Sequence, residues 1–227
     1  MFRHFIFITF CLLAFTGLAV AQAKPAEAIV PTPKETPAPK KLNERPAEKL
    51  PAEPFDKADA KTMAGKCVTL DTEAGFILLE MFPESAPESV RNFLNLAATG
   101  AFDTTTFSRV VPGFVIQGGN LGTSEKLTPR MAQRSHRVVP DEPSSILHER
   151  GILSLARSDE PNSATTHFFI LVGVAPQLDG KFAAFGRVTK GMDVVDAINK
   201  ATVTAEKPEK PVRVKKATVA ACPAAAN

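Results

Sequence analysis

The chain has no tryptophan and no tyrosine among its 227 residues, so 16 phenylalanines supply all of the aromatic packing. It also lacks Gly-x-Ser-x-Gly, phosphate-loop and His-Glu-x-x-His segments. These are the short motifs of α/β-hydrolases, nucleotide-binding enzymes and zinc peptidases. The sequence therefore offers no motif for hydrolysis by these routes, for nucleotide binding or for zinc chemistry.

An excess of charge of one sign is missing too, since 27 Lys and Arg residues and 24 Asp and Glu residues leave a net charge of +3. No basic stripe with interleaved aromatic residues occurs, so nucleic acid is not an expected partner. His136 and His148 lie in a polar stretch with no second ligand at metal-binding spacing. We predict that both are exposed loop residues, and we expect neither a metal site nor a cofactor.

Residues 1–21 have the pattern of a secretory signal peptide. They combine a basic start at Arg3, an apolar run over residues 5–20 and small residues that end at Ala21. This pattern predicts cleavage and export, which in a Gram-negative bacterium leads to the periplasm. The alternative is an uncleaved anchor that holds the protein at a membrane, facing outside the cytoplasm. We expect membrane contact only in that second case.

Residues 22–64 consist mainly of Pro, Ala, Lys and Glu, with few large apolar side chains. Such a composition cannot bury enough apolar surface to offset the entropy lost on ordering the chain. We predict a disordered linker over residues 22–64, a folded domain over residues 65–222 and a short tail over residues 223–227. The linker is expected to contribute nothing to the domain core.

The folded part is predicted to be mostly β, with short apolar segments separated by turn residues. A helix is expected from Pro87 to a stop at Gly100, because Val90, Phe93 and Leu94 recur at helical spacing. A second, short helix is expected over residues 192–199. The strands are expected over residues 67–72, 75–82, 106–111, 114–117, 152–156, 167–172, 183–188 and 212–221. Many short strands indicate a sandwich or a closed barrel, and the pattern alone does not choose between them.

The most informative stretch is residues 107–120, which read FSRVVPGFVIQGGN. Arg109 lies in a run that is otherwise aromatic and β-branched, as in a core strand. A guanidinium among apolar side chains is costly unless it is paired or used. Arg109 is therefore either a functional residue or a strand arginine whose charged end reaches water.

This stretch resembles the signature of the cyclophilins, which are peptidyl-prolyl cis/trans isomerases. GILSLARS and NSATTHFFI within residues 151–170, and LDGK, FGRV and GMDVV within residues 178–195, resemble further cyclophilin blocks in the same order. The resemblance runs from about Cys67 to Cys222 and is closest to the bacterial secreted members, because the loop over residues 120–151 is short. It implies a closed eight-stranded antiparallel β-barrel with two capping helices. It also implies proline-containing polypeptides, such as unfolded exported proteins, as substrates, and we expect a monomer.

The resemblance also implies the roles of individual residues. Arg109 matches the catalytic arginine. Gln117 matches the glutamine that binds the substrate backbone and steadies that arginine, and His167 stands in the substrate wall where glutamine is usual. The remaining matched substrate-binding positions are Phe114, Val115, Phe169 and Leu178 in the proline pocket, and Ala156, Arg157 and Ser158 along the edge that pairs with the peptide. Without the resemblance, Phe169 and Leu178 would be read as ordinary core residues.

The turn after Arg109 raises a geometric question. A two-residue hairpin loop at Pro112 and Gly113 would pair Val111 with Phe114 and place Arg109 and Gln117 on opposite faces of the sheet. The roles implied by the resemblance require an irregular turn or a bulge at this point.

Cys67 and Cys222 remain after removal of the signal peptide, which contains the third cysteine, Cys11. Two cysteines in an oxidising compartment suggest a disulfide. Two unlinked thiols fit equally well, because a bond needs Cα atoms within roughly 7 Å.

Two functions fit the whole pattern. One is a peptidyl-prolyl isomerase that accelerates the folding of exported proteins. The other is a non-catalytic peptide-binding or holdase module on the same scaffold. Arg109 distinguishes them, since a protein that only binds peptides does not require it.

Overall fold

A computed structural model describes residues 50–224 of the chain. The predicted signal peptide and most of the predicted linker lie outside these residues. The described part is mostly β, as expected, and its strands are β1 (Lys66–Thr72), β2 (Gly75–Met81), β3 (Arg109–Val111), β4 (Val115–Gly118), β5 (Ile152–Leu155), β6 (Phe168–Leu171), β7 (Ala184–Lys190), β8 (Val203–Thr204), β9 (Lys207–Pro208) and β10 (Val214–Ala221). The helices are α1 (Ala60–Met63), α2 (Pro87–Ala98), α3 (Pro129–Arg134) and α4 (Met192–Asn199), with 3-10 turns at Leu121–Thr123 and Pro176–Leu178.

Eight strands form one antiparallel sheet in the order β10-β1-β2-β7-β5-β6-β4-β3, and β8 and β9 form a separate hairpin. The outer strands β10 and β3 are not paired along their length among the described residues. Instead, the segments that precede them meet at an isolated bridge between Thr106 and Arg213, and the Phe107 N–H donates to the Val212 carbonyl at 3.0 Å. The structure thus confirms the mostly β, antiparallel class and shows a curled eight-stranded sheet. The strand pairing among the described residues does not amount to complete closure into a barrel.

The core is built around phenylalanine. Phe93 of α2 is fully buried and packs edge-on against Phe168 of β6 at a centroid distance of 5.1 Å. It also contacts Phe102 and Phe185 at 5.1 and 5.2 Å. Tilted and edge-on contacts of this kind add to the free energy gained by burying each ring. The predicted helical face of α2 is therefore the face that fixes the helix on the sheet.

The first turn of α2 is capped from a distant part of the chain. The N-cap residue Ala86 has no side chain that can accept a hydrogen bond, and Pro87 begins the helix. The Glu142 carboxylate accepts from the backbone N–H groups of Glu88 at 2.8 Å and Ser89 at 2.7 Å. A carboxylate at this end satisfies free N–H groups and interacts favourably with the helix dipole. The loop that contains Glu142 is thereby fixed to the core helix.

The predicted boundary between linker and domain at residue 64 was wrong. Met63 is fully buried in the main core, and Phe55 packs against the same core. The Glu53 carboxylate is buried against Arg134 of α3 at 2.8 Å. Composition suggested disorder because residues 50–64 contain few apolar side chains. However, those apolar side chains pack against the core, and the Glu53 carboxylate pairs with α3. The folded domain therefore begins near residue 53, and residues 22–49 lie outside the described part.

A disulfide joins Cys67 of β1 to Cys222, just after β10, with the two Cα atoms 4.8 Å apart. The strands β1 and β10 are antiparallel neighbours, and Cys67 lies opposite Ala220. The bond therefore links the first and last strands of the sheet. Within residues 50–224, none of the helices has the length and apolar composition needed to span a bilayer.

Candidate active site

A cavity of about 170 Å³ opens beside the β3–β4 hairpin on the outer face of the sheet. Its lining is mostly apolar, with two arginines and a glutamine. The lining residues are Arg109, Phe114, Val115, Gln117, Ala156, Arg157, Phe169, Leu178 and Phe182. All of the predicted catalytic and substrate-binding residues except Ser158 and His167 thus meet at one cavity, although they come from widely separated parts of the sequence.

The turn between β3 and β4 places Arg109 and Gln117 side by side. The register pairs Arg109 with Gln117 and Val111 with Val115, so the loop has three residues rather than two. Within it the Phe114 N–H donates to the Val111 carbonyl at 3.0 Å, and Gly113 has a φ of 75°. Proline followed by a residue with positive φ is the pattern of a type II turn, where glycine is favoured. Because of this third loop residue, Arg109 and Gln117 lie on the same face of the sheet, which a two-residue loop would have prevented.

The Arg109 guanidinium is held by two acceptors. Its Nη1 donates to Gln117 Oε1 at 3.1 Å, and its Nε donates to Glu206 Oε2 at 2.7 Å. Its Nη2 has no acceptor among residues 50–224. The guanidinium thus keeps one end unpaired at a cavity whose walls are apolar.

Those walls come from β4, β6 and the segment around the second 3-10 turn. Val115 and Phe169 are almost completely buried, and Leu178 is half-buried. Phe182 packs edge-on against Phe169 with centroids 6.0 Å apart, and the Arg157 guanidinium lies 4.9 Å from the centre of the Phe182 ring. Phe182 was not among the predicted site residues. Its position four residues after Leu178, in the LDGK-F stretch, was the signal that could have identified it.

A second groove continues from the cavity and contains the two remaining predicted residues. Its lining consists of Gln117, Ala156, Arg157, Ser158, Ser163, Thr165 and His167. The Ala156 N–H already donates to the His167 carbonyl at 3.0 Å, and the Ser158 N–H donates to Ser163 Oγ at 3.1 Å. In this stretch the backbone N–H of Arg157 has no acceptor among the described residues. This N–H therefore remains available for a bound peptide.

His167 is half-buried in the wall of this groove. Burial lowers the pKa of its imidazole from the usual 6.5, because desolvation penalises the charged form. The neutral imidazole is therefore the form that a peptide meets near pH 7.

The prediction that His148 is an exposed loop residue was wrong. Its side chain is buried, its Nδ1 lies 3.0 Å from Asp179 Oδ1, and its Nε2 lies 3.0 Å from Ser154 Oγ. Hydrogen bonding to His148, above all from its backbone N–H at 2.7 Å, lowers the pKa of the Asp179 carboxyl. Ser154 is itself fully buried, so this arrangement anchors the segment that carries Leu178 to strand β5 and offers no accessible nucleophile. His136 is exposed, as expected.

Comparisons with known proteins agree with this geometry. The family model described as cyclophilin type peptidyl-prolyl cis-trans isomerase/CLD matches residues 67–219. The peptidyl-prolyl cis-trans isomerase ppi1 of Schizosaccharomyces pombe is 39% identical over 154 residues, covering 66% of this chain and 96% of the relative. A peptidyl-prolyl cis-trans isomerase of Acinetobacter baylyi is 36% identical over 144 residues, covering 61% of this chain and 74% of the relative.

The fold is also similar to a solved structure. The crystal structure of a cyclophilin type peptidyl-prolyl cis-trans isomerase from Cryptosporidium parvum, in the presence of the dipeptide Ala-Pro, superposes with a TM-score of 0.60. The two sequences are 28% identical, and the match covers 68% of this chain and 98% of that one.

Proposed function

This chain belongs to the cyclophilin family of peptidyl-prolyl cis-trans isomerases, and on that premise we propose that Arg109 is its catalytic residue and that the adjoining cavity binds the proline ring. The observation that carries the proposal is the placement of Arg109. Its guanidinium is fixed by Gln117 and Glu206, its Nη2 has no acceptor in the described chain, and its side chain lines a cavity whose walls are mostly apolar.

The reaction requires no covalent step. Rotation about a peptide bond is slow because C–N resonance imposes a barrier of ~18–20 kcal/mol. An enzyme accelerates the rotation if it binds the twisted bond more tightly than either planar form. In the twisted state the proline nitrogen loses conjugation and gains a lone pair that accepts a hydrogen bond. Arg109 supplies a permanently charged donor in a rigid planar group, and this donor stabilises the twisted state selectively.

The two neighbouring grooves divide the binding of substrate between them. Val115, Phe169 and Leu178 form an apolar socket into which a proline ring fits. The groove beside it, with His167 and the free N–H of Arg157, takes the residues that adjoin the proline, by pairing with their backbone. The Cryptosporidium parvum structure, obtained in the presence of Ala-Pro, supports proline-containing peptides as the substrate class of this chain.

We further propose that the enzyme is exported and acts on unfolded exported proteins as a monomer. The support for export is the signal-like sequence of residues 1–21 and the disulfide between Cys67 and Cys222, since disulfides persist in oxidising compartments.

We also propose that the sheet closes into a complete barrel. The bridge between Thr106 and Arg213 is the contact that supports closure.

The test is substitution of Arg109. We expect Arg109→Ala to lose on the order of 2–4 kcal/mol of transition-state stabilisation, by analogy with oxyanion-hole donors, which is roughly a 30- to 1,000-fold drop in kcat/KM. The measurement is a protease-coupled or NMR-exchange assay on a short X-Pro peptide. Arg187→Ala is the matched control, because that exposed arginine pairs with Glu80 away from the cavity.

The alternative function, a non-catalytic peptide-binding module, gives a different result. In that case the wild-type protein does not accelerate isomerisation, and Arg109→Ala changes only peptide affinity. A folded Arg109→Ala variant with near-full kcat/KM would contradict the proposed mechanism directly.

A further inference from the structure

Glu206 is the acidic partner of the catalytic arginine. Its Oε2 accepts from Arg109 Nε at 2.7 Å, across 97 positions of sequence. The two side chains are 42% and 49% exposed, so the pair lies at the rim of the cavity. No other carboxylate of residues 50–224 pairs with Arg109.

The backbone around Glu206 is built in a conformation that its sequence does not favour. Strands β8 and β9 are joined by a two-residue loop of Ala205 and Glu206, with φ values of 48° and 65°. Positive φ at both positions is typical of a type I′ hairpin, where Asn and Gly are strongly preferred. Ala and Glu occupy the left-handed region at a cost, and such strained residues cluster at functional sites.

The loop is attached to the strand that carries Arg109. The Val110 N–H donates to the Glu206 carbonyl at 2.8 Å. This bond occupies a backbone donor on the outer edge of β3, the last strand of the sheet. The carboxylate of Glu206 is therefore placed next to Arg109 by its own backbone and not by a chance side-chain contact.

The two acceptors on Arg109 act at different nitrogens. Gln117 Oε1 binds Nη1 at 3.1 Å, whereas Glu206 Oε2 binds Nε. One hydrogen bond still allows a guanidinium to turn about its contact, but two bonds at separate nitrogens fix its plane. Fixing the plane determines where the unpaired Nη2 points.

We propose that Glu206 is a positioning residue for the isomerase reaction: its carboxylate binds Arg109 Nε and, together with Gln117, aims Nη2 at the proline nitrogen of the twisted bond. This inference rests on Arg109 being the catalytic residue. Glu206 contacts the arginine and not the reacting atoms, so it acts on the rate of rotation and not on the binding of the planar substrate.

The kinetic test compares Glu206→Ala with Glu206→Gln on a short X-Pro peptide. We expect Glu206→Ala to lower kcat about three- to fivefold, the size of an exposed ion pair, with little change in KM. Glu206→Gln keeps an oxygen that can accept from Nε and should recover most of the rate. Both variants keep a Cβ, so the cost of the left-handed backbone is unchanged. Glu209→Gln is the control, because it removes the same charge three residues away, at an exposed position just after β9.

A spectroscopic readout does not depend on activity. The Arg109 Nε–H resonance, assigned by its disappearance in Arg109→Lys, should exchange slowly with water in the wild-type protein because a carboxylate accepts from it. It should exchange faster in Glu206→Ala and remain protected in Glu206→Gln.

The outcomes separate the two levels of inference. Unchanged kcat and an unchanged Nε–H exchange rate in Glu206→Ala would overturn the positioning role while leaving catalysis by Arg109 intact. Equal loss of kcat in the Ala and Gln variants would overturn it too, since charge alone would then matter. A rise in kcat in both variants would show that the carboxylate suppresses the arginine, which is the opposite role. If Arg109→Ala itself keeps full activity, the proposed function fails, whereas the exchange data still report whether Glu206 binds Nε.

Discussion

The buried ion pair between Glu53 and Arg134 predicts a large loss of stability from a single substitution outside the region that resembles the family. The two side chains are 6% and 4% exposed, and Arg134 Nε lies 2.8 Å from one carboxylate oxygen and 3.0 Å from the other. Arg134 Nη2 also donates to Asn92 Oδ1 at 2.8 Å, while its Nη1 is buried without a partner in the described chain. Glu53→Ala therefore leaves a buried guanidinium with one hydrogen bond.

The expected magnitude follows from that uncompensated charge. Breaking a buried pair by removing one partner typically costs about 3–5 kcal/mol. Glu53 lies near the start of the folded segment, where the chain can separate from the domain and admit water, so we expect the lower end, about 3 kcal/mol. For a domain of this size such a loss lowers Tm by roughly 6–12 °C.

The assay is equilibrium unfolding in guanidinium chloride, with the disulfide intact, as a double-mutant cycle of Glu53→Ala, Arg134→Met and the pair together. Replacing both charges by apolar groups is often close to neutral, so the double variant should be more stable than Glu53→Ala alone. Glu84→Ala, at an exposed position, is the control for removal of a carboxylate. A Glu53→Ala variant as stable as this control, or strictly additive effects in the cycle, would refute the reasoning.

Two further predictions concern the domain boundary and pH. A chain that starts at Gly65 should unfold at a lower temperature than one that starts at Leu50, because it lacks Met63 and Glu53; equal Tm values would show that residues 50–64 contribute nothing. Because the pKa of His167 is lowered in the folded state, its stabilising contribution is present above about pH 6.5 and is lost as the pH falls through the folded pKa. Tm and kcat/KM, measured between about pH 7 and pH 5, should decline less in His167→Gln than in the wild-type protein, and parallel declines would exclude His167 as the cause.

Several features of the site were accessible from the sequence because they depend on local pattern. The apolar spacing of α2 identified the face that packs on the sheet. The position of Arg109 in an apolar run marked it as paired or used, and it is both paired and at the cavity. The blocks that resemble the cyclophilins predicted site residues that the fold brings to the cavity and its adjoining groove. The family itself is confirmed.

The N-terminal boundary and His148 show where composition and pattern were misleading. A segment rich in Pro, Lys and Glu is usually disordered because it buries little, but Glu53 finds a partner 81 positions away. His148 lies in a polar stretch, but its ring is buried between Ser154 and Asp179. Whether a polar side chain is solvated or buried depends on partners that are distant in sequence, and no local window contains them.

The sequence by itself determined the mostly β class and the main helical and strand segments of the core, since these follow from residue type and short-range periodicity. Its resemblance to the cyclophilins, and not periodicity, singled out Arg109. Only the tertiary structure decided which side chains hold that arginine. The three-residue loop at Pro112 shifts the register so that Arg109 faces Gln117, and the hairpin of β8 and β9 brings Glu206 to the guanidinium from 97 residues away. Register and long-range approach depend on the closure of loops and on the packing of whole elements, which bring together residues that no local pattern in the chain relates.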